Sequence, residues 1–253
     1  MHNEAAGENA GNFNIKEWRS SYSGEVIASA EMREWVEETV ERIVSLQPRA
    51  VLEIGCGMGL LLLRIAPQCD VYYGTDFSQK ALDYVWQQLE ETTDNVSLEW
   101  RHADDFKGWE KGEFDTIILN SVVQYFPDAD YLVRVLREAV EKVRPGGKVY
   151  VGDIRHYGLL RAFHTSVAVY RAAPQLSIRE LKQQIEQYLA QEEELNIDPG
   201  FFAVLGEQLS GVSRVEIELK RSRYHNEMSC FRYDVVLHIG GEEEEEGKVE
   251  WIS

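Results

Sequence analysis

The sequence predicts an α/β fold, with a mostly parallel sheet of seven strands, an antiparallel last strand and helices on both faces. Three observations support this prediction. Strand-like and helix-like segments alternate over short connections as far as Ile154, which is typical of a parallel sheet. Residues 157–209 are helical in pattern and form a helical insertion. Two strongly alternating runs with a short loop between them then predict a final antiparallel hairpin.

The first half of the chain supplies three strands and three helices. A helix is predicted over residues 31–46, where Met32, Trp35 and Ile43 recur at helical spacing. Ser78 is a good N-cap, so a helix is placed over residues 78–91. The other elements of this half are a strand at 49–55, a helix at 59–68, and strands at 71–76 and 95–101.

The second half of the chain completes the sheet. Residues 114–120, "FDTIILN", are almost wholly apolar, as expected of a parallel strand that is covered on both faces. A helix over residues 128–143 is closed by "RPGG", which is a helix stop signal. The remaining strands are predicted at 148–154, 212–222 and 230–240, the last two joined by a loop at 224–229.

Charge and cysteine usage narrow the class of protein. The formal net charge of −18, from 26 basic and 44 acidic residues, argues against a nucleic-acid partner and against an anionic membrane surface. Cys56, Cys69 and Cys230 fit neither a disulfide framework nor a zinc site, and no metal is expected. Free thiols, no signal peptide and no run of membrane-spanning length predict a cytoplasmic localisation.

The two ends of the chain differ from its body in composition. Residues 1–12 are polar and rich in glycine and asparagine, which predicts a flexible lead-in. Residues 13–241 are interpreted as one domain. Residues 242–253 contain five consecutive glutamates and are interpreted as an acidic tail or linker.

A glycine-rich loop follows the first predicted strand. Gly55, Gly57 and Gly59 lie at its carboxyl end, where ligands of open α/β sheets bind. Glycines there allow positive φ and a close approach of the backbone to a ligand. A dinucleotide fingerprint would need a small residue at Leu60, and no P-loop lysine follows. The loop is therefore either a ligand cradle without diphosphate contacts or only a turn.

Three polar residues lie at or near strand ends beside this loop. Asp76 ends the second strand, where its carboxylate could accept hydrogen bonds from both hydroxyls of a ribose, or could only cap the following helix. Glu53 lies inside the first strand, where burial is costly unless the carboxylate meets a cation or donor such as an ammonium group. Asn120 ends the fourth strand and approaches the same loop.

A second group of residues follows the third strand. Asp104 is placed at the end of that strand, where it could accept from the exocyclic amine of adenine, and Asp105 comes next. Phe77 or Phe106 would flank the ring. Ribose, adenine and an ammonium group without diphosphate together describe S-adenosylmethionine.

Successive motifs of the chain resemble those of class I S-adenosylmethionine-dependent methyltransferases. They are "VLEIGCGMG", "GTDFS", "ADDF", "ILNSVVQYF" and "RPGG", and the resemblance covers roughly residues 13–239. It implies a Rossmann-like seven-stranded sheet, S-adenosylmethionine as cofactor and S-adenosylhomocysteine as product. It adds Ser121 to the expected cofactor contacts. The family loop usually reads "GCGTG", and Met58 takes the place of its threonine.

Further segments resemble methyltransferase domains embedded in nonribosomal peptide synthetases. They include "FNIKEWRSSYSGEVI", "GDIRHYGLLRAFHTS", "EEELNIDPGFF" and "HNEMSCFRYDVVLHIG". The resemblance implies methylation of an aminoacyl thioester on a carrier protein, with a host adenylation domain as the second partner. It favours N-methylation of the α-amine. O-methylation of a side-chain hydroxyl, or a catalytically silent domain that only binds cofactor, are the alternatives.

Five residues are candidates for the acceptor side. Asp153, Arg155 and His156 follow the fifth strand, and Asn226 and Glu227 lie in the last loop. His156 or Glu227 could accept a proton, and Asn226 could orient the acceptor. The alternative for any of them is a structural ion pair, such as Asp153 with Arg155.

Aromatic residues before the first helix form a candidate lid. Trp18 and Tyr22 could close over the cofactor, or could simply dock on the core. Tyr22 is therefore included among the expected cofactor contacts.

Overall fold

The computed structural model describes residues 13–15, 18–89 and 94–240. The predicted lead-in at 1–12 and the acidic tail at 242–253 lie outside these ranges, so the structure does not test them.

The fold is built on one seven-stranded sheet with the order β3-β2-β1-β4-β5-β7-β6. Strands β1 to β5 run parallel, and β7 is antiparallel to both of its neighbours, β5 and β6. This confirms the predicted Rossmann-like sheet with its antiparallel last strand. The strands are β1 Ala50–Ile54, β2 Val71–Asp76, β3 Val96–Trp100, β4 Phe114–Asn120, β5 Val143–Arg155, β6 Val212–Leu219 and β7 Arg232–Ile239.

Eight α-helices surround or follow the strands in the described part of the chain. Three of them, α5 to α7, lie between β5 and β6 and form the predicted helical insertion before the final hairpin. The helices are α1 Ser29–Ser45, α2 Leu62–Ile65, α3 Gln79–Gln88, α4 Ala129–Lys142, α5 Leu160–Arg171, α6 Ile178–Ala190, α7 Pro199–Gln208 and α8 Glu227–Cys230.

Side chains pack on both faces of the sheet. On one face, Ile43 of α1 and Val85 of α3 join Val51 of β1 in a fully buried layer. On the other, Leu136 of α4 and Phe202 of α7 join Leu52 of β1. Burying one such side chain stabilises the fold by about 1.5–3 kcal/mol. The two layers therefore hold the carboxyl ends of the strands as a rigid platform.

Several elements differ from the sequence prediction. Helix α3 ends at Gln88, and residues 90–93 lie outside the described ranges. Strand β5 begins at Val143 and includes the "RPGG" segment, because the pairing with β4 shifts register there and the chain bulges. The loop predicted at 224–229 contains the short helix α8, which Asn226 caps with its side chain.

Candidate active site

The glycine loop and Asp76 form one hydrogen-bonded unit at the carboxyl ends of β1 and β2. The backbone N–H of Gly57 donates to Asp76 Oδ2 at 2.9 Å, and that of Ser78 donates to Oδ1 at 2.8 Å. Asp76 is buried. A carboxylate offers about four lone-pair sites, so each oxygen keeps one for a ligand. Asp76 therefore fixes the loop and can still accept two hydroxyl groups.

Gly55 must be glycine for two reasons. Its φ is +76°, a conformation that L side chains rarely adopt. A Cβ on Gly55 would also lie 2.5 Å from Cγ2 of Val122, which follows β4. The absence of a side chain lets the loop from β1 pack closely against the end of β4.

A cavity of about 640 Å³ opens at this edge of the sheet. Its lining comes from the glycine loop, the ends of β2 and β4, the segment before α1, and α8 with the start of β7. Its volume lies within the range of about 300–1,000 Å³ that is typical of small-molecule and cofactor sites. The cavity is therefore large enough for a nucleoside cofactor.

Glu53 is the most deeply buried of the carboxylates that line this cavity. Tyr72 donates its hydroxyl to Glu53 Oε2 at 2.8 Å. Burial raises the pKa of Glu53 to about 7, and the charge of Asp76 adds to this rise, while the Tyr72 hydrogen bond opposes it. Such a carboxyl group is near its midpoint at neutral pH, so a cationic ligand would favour its ionised form.

Two buried amide oxygens lack partners among the described residues. They are Oδ1 of Asn120 and Oε1 of Gln124, and both residues line the cavity. Leaving such an acceptor unsatisfied costs about 1–3 kcal/mol. Asn120 Nδ2 meanwhile donates to Ser121 Oγ at 3.2 Å, and Ser121 has a φ of +57°. This donor-poor edge fits a ligand that carries an ammonium or amine group.

Of the four residues predicted around adenine, only Phe77 lines the cavity. Phe77 is exposed and lines the cavity. Strand β3 ends at Trp100, so Asp104 lies beyond the strand, where it is exposed. Asp104 hydrogen-bonds Tyr131, and burial together with this contact raises the pKa of Tyr131 to about 12. Asp105 is exposed and accepts from the Lys107 backbone at 3.2 Å.

Phe106 is the third residue of that group and lies away from the cavity. It is buried against Trp109, with the ring centroids 6.0 Å apart. Strand β3 ends at Trp100, close to the predicted end at residue 101, so Asp104 and Phe106 lie in the connection beyond the strand and not at its end. Ala103 and His102 line the cavity in their place.

Glu227 is the first residue of α8 and lines the same cavity as the glycine loop. Both of its carboxylate oxygens accept from the Ser21 backbone N–H, at 2.8 and 3.1 Å. Burial raises the pKa of Glu227, and the Ser21 contacts partly offset this. Asn226, its neighbour, caps α8 and donates to Glu31 at 2.6 Å, so Asn226 has a structural task beside the cavity.

Asp153 is fully buried beneath the cavity. It accepts from Trp35 Nε1 at 3.2 Å and from Ser121 Oγ at 2.7 Å, and it forms an ion pair with Arg232. The suggested pair with Arg155 is therefore wrong. Asp153 has a φ of +61°, a strained conformation that persists where surrounding contacts impose it. Its carboxylate holds Arg232, which lines the cavity.

Arg155 and His156 line a smaller neighbouring cavity of about 50 Å³. Arg155 pairs with Glu192 at 3.1 Å and with Glu194 at 2.5 Å. His156 Nδ1 accepts from the Gly158 backbone at 3.1 Å, so this nitrogen is already occupied. The two cavities share four lining residues: Ser21, Glu194, Glu227 and Arg232.

The segment before α1 covers the cavity, but its two aromatic residues differ. Trp18 lines the cavity and packs on Trp35, with ring centroids 5.1 Å apart. Tyr22 instead hydrogen-bonds Ser166 at 2.8 Å and packs edge-on against Tyr170. Tyr22 therefore ties this segment to helix α5 and does not line either cavity.

Sequence reasoning missed several polar residues of the site, among them Gln124, Glu194 and Arg232. Glu194 lies in an acidic run, "EEEL", which resembles a solvated surface segment. Arg232 begins a strand whose next five residues are buried, and a charged residue bordering such a run could have signalled a buried partner. Gln124 carries no sequence signal of its own.

The described residues contain no cluster of three or more histidine, cysteine, aspartate or glutamate side chains able to hold a metal ion. None of their helices is long and apolar enough to cross a membrane.

Comparison with known proteins adds independent evidence. A family model described as "Methyltransferase domain" matches residues 52–149. Chondramide synthase cmdD of Chondromyces crocatus is 48% identical over 242 residues, which is 95% of this chain and 6% of that protein. A probable non-canonical nonribosomal peptide synthetase, CymA of Salinispora arenicola, is 41% identical over 224 residues, 88% of this chain and 3% of that protein.

Solved structures show the same fold. The N-methyltransferase NodS of Bradyrhizobium japonicum, in complex with S-adenosyl-L-homocysteine, superposes with a TM-score of 0.56 at 16% identity, covering 80% of this chain and 86% of that one. The match to a methyltransferase family model, with relatives 41–48% identical over most of this chain, identifies it as an S-adenosylmethionine-dependent methyltransferase, and the solved structures share its fold. Within them it is similar to segments of large synthetases, of which it spans only a few per cent.

Proposed function

We propose that this domain methylates the α-amine of an aminoacyl group that a carrier protein holds as a thioester in nonribosomal peptide synthesis. The observation that carries the proposal is the pair of carboxylates, Glu227 and Glu194, at the end of the cavity shared with the smaller cavity. Carboxylates accept hydrogen bonds from an amine and can take its proton. The similarity to synthetase segments supports the carrier-bound substrate, with a host adenylation domain as partner.

The residues present fit the cofactor. The Gly55–Gly59 loop and Asp76 would hold its ribose, and Glu53 with Asn120 would receive its amino-acid end, because these are the acceptors that face the cavity. When bound, S-adenosylmethionine supplies an electrophilic methyl group on a sulfonium sulfur. Trp18, from the segment before α1, lines the cavity and would shield a bound cofactor from water on that side.

The acceptor end has the properties that an amine requires. An α-amine has a pKa near 8 and is a nucleophile only when neutral, so it needs orientation and little further help. Burial raises the pKa of Glu227, which makes this carboxylate a better proton acceptor than an exposed one. A hydroxyl acceptor needs a stronger base. The imidazole of His156 lies in the smaller cavity, with Nδ1 already engaged by Gly158.

Matched soluble thioesters test the proposal. Valyl and 2-hydroxyisovaleryl thioesters of pantetheine would be incubated with the protein and S-adenosylmethionine, and methylated products measured by mass spectrometry. We expect methylation of the valyl thioester and none of its hydroxy analogue. Methylation of the hydroxy analogue at a comparable rate would contradict an amine acceptor, and no methylation of either would contradict a thioester substrate.

A further inference from the structure

Arg232 is a largely buried cation, and only part of its guanidinium group is hydrogen-bonded to another residue. Its side chain is 13% exposed, and one guanidinium nitrogen, Nη1, is bound by Asp153. A guanidinium carries five N–H donors in a planar fork. Among the described residues, Asp153 is the one hydrogen-bond partner of this side chain. Each guanidinium nitrogen either bonds Asp153 or remains accessible to solvent. The remaining donors are therefore available to a ligand.

The buried carboxylate of Asp153 fixes the position of the Arg232 side chain. Asp153 is fully buried and is itself held by Trp35 and Ser121. Although burial disfavours its charge, the carboxylates of Asp153 and Glu194 raise the pKa of Arg232. The guanidinium is thus permanently charged and anchored at one corner, while it lines both cavities. An anchored fork is pre-organised for a ligand oxygen.

The neighbours of Arg232 determine which oxygen it can receive. Glu227 and Glu194 line the same two cavities, and the charges of both act on the guanidinium. Two anionic acceptors beside a cationic donor match a group that presents an amine next to a carbonyl oxygen. An α-aminoacyl thioester has this pairing, because its amine and its carbonyl are separated by one carbon atom.

We propose that Arg232 donates to the carbonyl oxygen of the acceptor's thioester and so makes the site specific for α-aminoacyl groups over simple amines. This inference rests on the proposed function and names the residue that recognises the acyl carbonyl. The carboxylates accept hydrogen bonds from the amine, and the guanidinium of Arg232 orients the adjacent carbonyl group. Asp153 is a positioning residue, because it acts through Arg232.

A substrate pair tests the carbonyl contact directly. One substrate is the valyl thioester of pantetheine, and the other is the matched amine in which a methylene replaces the carbonyl. Their kcat/KM ratio would be measured in the wild type, Arg232→Met and Arg232→Lys. The two amines differ in basicity, but this difference is the same for every variant and cancels when ratios are compared.

In the wild type the carbonyl should raise kcat/KM, and Arg232→Met should shrink this preference about 10- to 100-fold, the scale of a hydrogen bond with a charged donor. Arg232→Lys keeps a charge opposite Asp153, which protects folding, but it loses the fork and should keep only part of the preference. The affinity for S-adenosylhomocysteine should stay unchanged in both.

Arg144→Met is the matched control. Arg144 also pairs with an aspartate, Asp115, at 2.5 Å, but it lines neither cavity and has no hydrogen bond or ion pair with Asp153 in the described part of the chain. Its loss should lower stability and leave the carbonyl preference intact. The inference is overturned if Arg232→Met and Arg232→Lys both keep the wild-type preference. If the wild type does not methylate the α-amine of the thioester, the proposed function itself has failed.

Discussion

Asp76 offers the sharpest test of the cofactor site. The substitution Asp76→Ala removes the carboxylate that joins Gly57 and Ser78 through hydrogen bonds of 2.9 and 2.8 Å. It removes both acceptors expected for the ribose hydroxyls. It also leaves two backbone N–H groups of the loop without their partner. The variant therefore loses direct contacts and the pre-organisation of the loop together.

The size of the effect follows from these bonds. A hydrogen bond to a charged group contributes about 1.5–3 kcal/mol, and about 1.4 kcal/mol corresponds to a tenfold change in Kd. Losing even one ribose contact should weaken S-adenosylhomocysteine binding about 10- to 100-fold. Asp76→Asn keeps one acceptor oxygen and should lose less affinity than Asp76→Ala.

Asp115→Ala is the matched control, at the opposite edge of the sheet. Asp115 also accepts from two backbone N–H groups, those of Arg49 at 3.1 Å and Ala50 at 2.8 Å. Its loss should lower the unfolding temperature without changing affinity. Isothermal titration calorimetry with S-adenosylhomocysteine would compare both variants after each is shown to be folded. Unchanged affinity in folded Asp76→Ala, or an equal loss in Asp115→Ala, would refute the reasoning.

Further predictions concern three residues, Glu53, Gly55 and Glu227. Cofactor affinity should rise between pH 6 and 7.5 as Glu53, with its pKa of about 7, ionises; Glu53→Gln should flatten this profile, and an unchanged profile would argue against an ammonium contact. The stability of the ligand-free protein should change in the opposite direction with pH. The raised pKa of Glu53 stabilises the folded state fully below a pH of about 4.5, and this contribution is lost as the pH rises through about 7. Glu53→Gln should therefore raise the unfolding temperature at pH 8. Gly55→Ala should weaken S-adenosylhomocysteine binding at least about tenfold, and Val122→Ala should rescue it only in part, because the positive φ remains; full rescue would show that the clash alone matters. Glu227→Gln should slow methyl transfer without changing cofactor affinity, and raising the pH from 7 to 9 should partly restore the rate by freeing more neutral amine; a rate that stays abolished at pH 9 would point to an obligatory base.

Most strands of the sheet could be predicted because each one is marked by the apolar pattern of its own residues. The apolar run at Phe114–Asn120 specifies a strand through burial on both faces. The final pair was predicted from its alternating pattern, although β7 is buried along five consecutive residues. Asp76 could be placed because it directly ends a strand. The same reasoning misplaced Phe106, since β3 ends at Trp100 and the apolar side chain of Phe106 turns into the core.

The acceptor side was harder to predict because its contacts join distant parts of the chain. Glu227 meets Ser21 across 206 positions, and Arg232 meets Asp153 across 79. No spacing rule encodes such pairs. Glu194 is one acid in a run of three, and only the folded chain shows that this one lines the cavity.

The position of the transferred methyl group tests the central claim most directly. A threonyl thioester of pantetheine carries both an α-amine and a side-chain hydroxyl, so one molecule offers both acceptors to the same site. The protein would be incubated with it and with S-adenosylmethionine that bears an isotope-labelled methyl group, and fragmentation would locate the label. We predict that the label lies on the α-nitrogen. A label on the side-chain oxygen, with the nitrogen unmodified, would contradict the proposed acceptor.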